Sequence, residues 1–465
     1  MKLNKETSEV FISALKKTGG FKDLIRGLAK AGDADMLRAI MEVMGRESFQ
    51  KSFAKDGTLS YSSSDPVSAA VESKEVAIAR LLIDVFGGVN HTITEKPVIR
   101  GQLRSNSGYA NRAASENRKV LTVNCAALDK ALGMTYGALH PRTSGDSGVK
   151  PDLEFISMIL DACPDIHPEL HYDHGIHQPY SFGVSYEGTV SLLSLAFISR
   201  DDGFVKMMMD RDPVFTLNDL NYAVYMGYGK EALEILNQTG SFSYNLFSLM
   251  GDLPEQDQDA LVDAMVTADI ENDSSTKHYC PNIEGMSAKA VLLMQEKCGV
   301  DMELMLIGAC KSDNPDAVRA LLAAGADVNA LKKSDNTYHS DTVSPLHEAR
   351  GSEVLRVLLE AGADPNLQTS KGLTPIQHWL GRYSGSGSTA EAVMPAMIGI
   401  LAQGGADMAV KSGNRTLLQL AGKWDESVRR AIRASKTAAT LDSAFSDEDQ
   451  AALKASDSMG GNQPL

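Results

Sequence analysis

The sequence predicts an all-α protein, a solenoid of helix-turn-helix units with several long loop insertions. Near the end of the chain, a leucine-rich stretch runs three times into Gly-Ala-Asp, with the glycines at Gly325, Gly362 and Gly405. A fainter alternation of short and longer apolar stretches continues upstream. Such recurrence is typical of repeat proteins, because each unit buries its apolar face against its neighbours.

The clearest units lie between 300 and 425. The second helix of each unit carries a buried apolar stripe, formed by Leu321, Leu322, Leu358, Leu359, Ile400 and Leu401. Each glycine then ends its helix by taking the left-handed conformation. A shorter helix is predicted upstream at Ser344-Pro-Leu-His-Glu-Ala349 and at Thr374-Pro-Ile-Gln-His378. Proline suits the first turn of a helix, and the preceding Ser or Thr can cap it.

These two segments resemble the Thr-Pro-Leu-His-x-Ala signature of ankyrin repeats. Together with the Gly-Ala-Asp turns, the resemblance covers about 300–425. The glycine spacings exceed the roughly 33-residue ankyrin period, because residues are inserted at 331–342 and 383–390. The segment Thr416-Leu-Leu-Gln-Leu-Ala421 departs from the signature by lacking the proline.

The resemblance also implies a structural role for His347, which should bond the backbone of the adjoining turn. His378 lies one position late for that role. Trp379 falls where a small alanine would pack, so we expect this unit either to be locally distorted or to expose the indole.

Residues 1–300 carry fainter helix pairs, which are read as degenerate ankyrin-like repeats, although a generic α-helical domain would show the same pattern. The pairs fall at 28–40, 69–83, 124–160, 192–209, 221–236 and 246–266. The predicted organisation is therefore degenerate repeats over 1–300, clear repeats over 301–435, and a C-terminal helix with a flexible acidic tail over 436–465.

Composition narrows the class of function. The net charge of -15 makes nucleic-acid binding unlikely as a role. The sequence shows neither a signal peptide nor the roughly 20 consecutive apolar residues that a membrane helix needs. The five dispersed cysteines fit a reducing compartment. We therefore expect a cytoplasmic protein, of the producing cell or of a host cell if it is exported or phage-encoded, without membrane attachment.

Four of the ten histidines fall within one short segment, at His167, His171, His174 and His177. Imidazoles this close, with Glu169 and Asp173 between them, suit zinc or a similar metal. The alternative is a polar inter-repeat loop, which the nearby prolines favour. No metal site is assigned, and no cofactor is expected.

Residues 96–119 form a basic segment that includes Arg100 and Arg104. Its composition predicts an exposed loop to which an acidic partner can dock. The alternative is a solvated insertion in which the charges cluster by chance.

The function predicted from these features is non-enzymatic binding of another protein by the concave face and the inserted loops. By analogy with ankyrin proteins of bacteria, phages and intracellular parasites, the chain would sequester or inhibit its target. The candidate contact residues are Lys332, Lys333, Tyr338, His339, Gln368, Lys371, Arg100 and Arg104.

The alternative function is an enzyme whose catalytic or metal-binding region lies at His167–His177, with an ankyrin tail as a targeting element. Cys163 would then be the place to seek a nucleophile. Such a domain needs strands, and the sequence offers only two short ones, at 122–124 and 181–185.

Overall fold

The computed structural model describes residues 5–55, 58–59, 65–89, 91–97, 119–133, 150–168, 170–173, 189–271, 283–333, 341–382 and 389–444. The chain divides into two compact units, Met1–Gly240 and Ser241–Leu465. Helices dominate both units, which confirms the predicted all-α class. Within the described residues, no helix is both long and apolar enough to cross a membrane.

The first unit is a succession of helix pairs. Its helices are α1 (Lys5–Thr18), α2 (Gly20–Ala31), α3 (Ala34–Met44), α4 (Arg46–Lys51), α5 (Pro66–Glu72), α6 (Val76–Phe86), α7 (Ala126–Leu132), α8 (Leu153–Ala162), α9 (Leu192–Ser199), α10 (Asp202–Met209), α11 (Leu217–Met226) and α12 (Gly229–Thr239). The pairs are α2 with α3, α5 with α6, α7 with α8, α9 with α10, and α11 with α12. Each pair predicted upstream of residue 240 is therefore present.

Neighbouring pairs of this unit pack through their first helices, as α2 with α5, α5 with α7, and α9 with α11. A buried carboxylate links α9 with α11. Asp219 in α11 accepts hydrogen bonds from the hydroxyls of Ser191, Ser194 (2.6 Å) and Thr216 (2.6 Å). A charge with no exposed surface is tolerated only when hydrogen bonds replace its hydration. This network therefore joins the starts of two stacked helices.

The first unit also contains a four-stranded sheet that the sequence analysis did not foresee. Its strands are β3 (Thr92–Pro97), β4 (Lys119–Asn124), β5 (His171–Asp173) and β6 (Thr189–Ser191), in the order β3-β4-β5-β6. Strands β4 and β5 pair in parallel and the other pairs are antiparallel. A separate hairpin joins β1 (Ala54–Lys55) to β2 (Thr58–Leu59).

This sheet corrects parts of two loop predictions. At the ends of the basic segment, Lys96 lies in β3 opposite Val120, and Lys119 lies in β4 opposite Pro97, while residues 98–118 lie outside the described residues. Part of the histidine-rich segment is strand β5. Strands β3 and β4 are rich in threonine, valine and other β-formers, which accounts for their conformation. The strand predicted at 122–124 is confirmed within β4, whereas 181–185 lies outside the described residues.

The second unit contains the clear repeats. Its helices are α13 (Asn245–Leu249), α14 (Glu255–Thr267), α15 (Ala288–Cys298), α16 (Met302–Lys311), α17 (Pro315–Ala323), α18 (Pro345–Glu348), α19 (Ser352–Glu360), α20 (Pro375–Arg382), α21 (Thr389–Gln403), α22 (Leu417–Leu420) and α23 (Glu426–Ala444), with 3-10 turns at Met250–Asp252 and Ala421–Lys423. Its strands are β7 (Ser241–Ser243), β8 (Asp269–Glu271), β9 (Lys332–Lys333), β10 (Thr342–Val343), β11 (Lys411–Ser412) and β12 (Arg415–Thr416).

These helices form two parallel rows. The first helices of successive units pack as α16, α18, α20 and α22, and the second helices as α15, α17, α19, α21 and α23. We call them the inner and outer rows. Leu321, Leu358 and Leu401 are fully buried in the outer row, while the adjacent Leu322, Leu359 and Ile400 are half-buried.

The three Gly-Ala-Asp turns end the outer helices as predicted. Gly325, Gly362 and Gly405 have φ values of 100°, 88° and 92°, in the left-handed region. In the turn at Gly362, its amide donates to the Leu359 carbonyl (3.0 Å) and the next amide, of Ala363, donates to Leu358 (2.9 Å). This is the Schellman pattern, which satisfies carbonyls that the helix end would leave bare.

Two asparagines join consecutive Gly-Ala-Asp turns. The amide group of Asn329 donates to the Gly362 carbonyl (3.1 Å), and its oxygen accepts from the Asp364 amide (2.8 Å). Asn366 repeats both contacts with Gly405 (2.9 Å) and Asp407 (2.7 Å). Ala409 stands at the equivalent position in the third turn, so the side chain needed for this bridge is missing there.

Trp379 is buried, with none of its surface exposed. Its indole nitrogen donates to the His347 carbonyl (2.9 Å), so the polar group of the ring is satisfied in the core. Of the two alternatives expected for this unit, local distortion or an exposed indole, the structure excludes the second.

Candidate protein-interaction surface

Three turns precede the inner helices α18, α20 and α22, and we call them fingers 1, 2 and 3. Finger 1 contains the paired strands β9 and β10, and finger 3 is the hairpin of β11 and β12. Finger 2, residues 368–373, is a tight turn in which the Thr369 amide donates to the Leu373 carbonyl (2.9 Å). Because α18, α20 and α22 pack in succession, the fingers follow one another along one edge of this unit.

The first turn of each inner helix holds its finger in place. His347 accepts from the Ser344 amide through Nδ1 (3.2 Å), and its Nε2 bonds the Leu373 carbonyl of finger 2 (3.0 Å). This confirms the structural role expected of His347. Burial lowers the pKa of His347 to about 4, so the ring is neutral at pH 7. In the next unit Gln377, rather than His378, occupies the corresponding position and accepts from the Thr374 amide (2.9 Å).

Asp341 connects finger 1 to finger 2. Its carboxylate accepts from the Ser370 hydroxyl and from the Lys371 amide (3.2 Å). Burial favours the protonated carboxyl, but the hydrogen bonds from Ser370 and Thr369 and the charge of Lys371 outweigh burial and lower the pKa of Asp341. The carboxylate is thus ionised and already engaged within the chain.

The exposed side chains at the fingers are mainly cationic. Lys333 lies in finger 1, Lys371 in finger 2, and Lys411 and Arg415 in finger 3, and all four are exposed, as is Gln368. The sequence analysis selected Lys333, Lys371 and Gln368 but missed Lys411 and Arg415. The Gly-Asn pair between them, with Gly413 at φ 58°, is a hairpin signal that identifies finger 3.

Lys332 differs from its neighbour Lys333. Its ammonium group pairs with Asp301 (2.7 Å) and Glu303 (3.5 Å) at the start of α16. The hydrogen bond to Asp301 is the main reason that the pKa of Lys332 is raised. Successive strand residues point to opposite sides, so Lys332 faces its own chain while Lys333 is exposed. The other predicted contact residues, Tyr338, His339, Arg100 and Arg104, lie outside the described residues.

The histidine-rich segment is only partly visible. Glu169, His174, His177 and the side chain of His171 lie outside the described residues. Among the residues that the structure does describe, no group of three or more His, Cys, Asp or Glu is placed to hold a metal ion. The metal hypothesis therefore gains no support from the visible part.

Cys163 lies beside a histidine distant in sequence, His91. The ring of His91 bonds the Val89 carbonyl through Nδ1 (2.9 Å) and Asp165 through Nε2 (2.8 Å). Interaction with the Cys163 sulfur, followed by the bonds to Asp165 and Val89, raises the pKa of His91 to about 10. Both ring nitrogens of His91 are thus engaged, one by the Val89 carbonyl and the other by the Asp165 carboxylate.

The sequence profile of the ankyrin repeat matches residues 305–333 and 343–370. The chain contains ankyrin repeats. These spans contain most of α16 and all of α17, α18 and α19, while residues 334–342 of finger 1 lie between the two matches. The pairs α20–α21 and α22–α23 continue the same two rows beyond the matched residues. Ankyrin repeats indicate a protein–protein interaction module.

One solved structure with some similarity is described as the crystal structure of the ankyrin repeat domain of Bcl-3, a unique member of the IkappaB protein family. The alignment covers 52% of this chain and 97% of that one, at 17% sequence identity and a TM-score of 0.25. No curated protein sequence matches the chain.

Proposed function

We propose that the chain is a non-enzymatic binding protein that grips a target protein with the inner row and fingers of its second unit, and thereby sequesters or inhibits that target. The observation that carries the proposal is the ordered edge of three fingers above stacked inner helices. Rigid helices fix where the fingers stand, and exposed turn residues are free to vary with the partner. We place this activity in the cytoplasm. By analogy with the ankyrin proteins of bacteria, phages and intracellular parasites, we propose that the protein is of the bacterial, phage or effector type.

Site-specific photo-cross-linking tests the proposed surface. A photoreactive amino acid replaces Gln368 in finger 2, and in a matched variant it replaces Arg356, which is exposed on the outer helix α19. In the cell that produces the protein, we expect the Gln368 variant to form a discrete covalent adduct and the Arg356 variant to form none. Adducts from Arg356 alone would show that the partner binds elsewhere.

Mass spectrometry of the adduct identifies the target, whose activity can then be assayed. A sequestering protein should reduce that activity in proportion to the amount added, until the two are equimolar. An unchanged activity at saturation would contradict sequestration while leaving the binding itself intact.

A further inference from the structure

We infer that the segment bound at the fingers is an extended acidic stretch of polypeptide. This inference rests on the proposed function and adds the chemistry of the partner. Acidic residues exceed basic ones in the whole chain, 60 against 45, yet the exposed charged side chains of the described finger residues are Lys333, Lys371, Lys411 and Arg415. The described residues of the fingers therefore carry an exposed charge opposite in sign to the net charge of the chain.

Three acidic groups close to the fingers are already engaged within the chain. Asp341 is half-buried, and its carboxylate accepts hydrogen bonds from the Ser370 hydroxyl and the Lys371 amide. Asp301 and Glu303 pair with Lys332. Lys333, Lys411 and Arg415 take part in none of the ion pairs found among the described residues, so the second unit presents them to solvent. An acidic ligand can therefore pair with them without breaking contacts seen in this structure.

The spacing of the fingers indicates the form of the ligand. Packed helices lie about 8–10 Å apart, so the successive fingers above α18, α20 and α22 should be separated by about that distance. A chain in the extended polyproline II conformation advances about 3.1 Å per residue and makes one turn in three residues. Every third residue of a segment bound in this conformation would then lie on the same face and meet the next finger, so an acidic residue at each such position could face one basic tip.

A polypeptide fits this surface better than a nucleic acid does. The net charge of -15 repels a polyanion that approaches from a distance. A short acidic segment carries a few charges, which the fingers can match locally, and its backbone adds hydrogen-bonding groups. The alternative ligand is a single-stranded nucleic acid, and the binding experiment compares it with the acidic peptide.

Fluorescence anisotropy with the full-length protein tests the inference. The probe is a labelled nine-residue peptide of serine and threonine with glutamate at positions 2, 5 and 8, and a second peptide has glutamine there. The finger variant combines Lys333→Glu with Lys411→Glu. The control combines Arg356→Glu with Arg430→Glu, which makes the same charge change on exposed residues of α19 and α23.

We expect the glutamate peptide to bind the wild type and the control within about twofold of each other, and to bind the finger variant about tenfold more weakly or worse, which corresponds to roughly 1.4 kcal/mol. Equal binding of the glutamate and glutamine peptides, or no loss in the finger variant, overturns the inference. So does tighter, finger-dependent binding of a nine-nucleotide single strand, which would point to nucleic acid instead.

Cross-linking from Gln368 separates this inference from the proposed function. The photoreactive residue at Gln368 is placed both in the otherwise unchanged chain and in the finger variant. If it forms the same adduct in full yield in the finger variant, the interaction surface stands and the acidic segment is wrong. If it forms no adduct in the otherwise unchanged chain, the proposed function itself fails.

Discussion

At the scale of single residues, His347 shows how burial sets a protonation state. The ring has no exposed surface and bonds both Ser344 and Leu373, and burial is the main cause of its lowered pKa. A histidine in the unfolded chain titrates near 6.5. Between that value and about 4 the unfolded chain therefore binds a proton that the folded chain does not, and stability falls as the pH falls.

His347→Gln should remove this acid sensitivity. Glutamine can keep the cap, because Gln377 and Gln419 accept from the Thr374 and Thr416 amides in the next two units. Between pH 7 and pH 4.5 we expect the unfolding free energy of the wild type to fall by about 2–3 kcal/mol more than that of the variant. Denaturant unfolding at both pH values measures the difference. If the wild type and the variant have the same pH dependence, folding does not lower the pKa of His347.

The sequence predicted some residue roles and not others, for a physical reason. The role of His347 was implied by the resemblance of its segment to the ankyrin signature, which contains this histidine. The burial of Trp379 was left open because it depends on the neighbouring unit, which supplies the His347 carbonyl for the indole. The contact between His91 and Cys163 joins residues far apart in the chain, which no local spacing reveals.

At the scale of secondary-structure elements, the asparagine bridges set the contact between consecutive turns. Asn366 makes two hydrogen bonds to the next Gly-Ala-Asp turn. Asn366→Ala removes both and should cost about 1–2 kcal/mol of stability, since each net hydrogen bond contributes about 0.5–1.5 kcal/mol. Thermal or denaturant unfolding measures the loss.

The control for this change is Ala409→Asn, which places asparagine at the corresponding position of the third turn. Ala409 is exposed, so we expect a change within about 0.5 kcal/mol. A loss at Asn366 as small as that of the control would mean that the bridges add nothing to packing of the outer row.

Helix pairs were predictable from the sequence, whereas the sheet was not. The apolar spacing of α5 with α6 or of α11 with α12 is contained within each pair, so a single stretch of sequence reveals it. Strand β5 has only three residues, and it pairs with β4 and β6 through segments distant in sequence. The prolines and the glycine that flank β5 in the sequence also favour a loop. Pairing of this kind depends on tertiary context rather than on local pattern.

At the scale of the whole molecule, the proposed function depends on how the repeats are arranged more than on any single group. The fingers that carry Lys333, Lys371 and Lys411 come from consecutive repeats, and each is held by the first turn of its inner helix. The sequence predicted the first two of these fingers as sites of contact. Finger 3 was missed because its helix lacks the signature proline, although the same capping contact is made by Thr416 and Gln419.

Stability should follow the same arrangement, because a repeat is stabilised chiefly by its neighbours. Leu358 has no exposed surface, and its helix α19 packs between α17 and α21. Leu358→Ala should therefore cost about 2–5 kcal/mol, whereas Leu359→Ala, at the half-buried neighbour, should cost less. Hydrogen exchange of the full chain should show lost protection in α17, α19 and α21, while helices such as α5 and α11 of the other compact unit keep theirs. If both units lose protection equally, the chain unfolds as one cooperative body. If Leu358→Ala lowers the unfolding free energy by less than about 0.5 kcal/mol, the outer row is not packed as described.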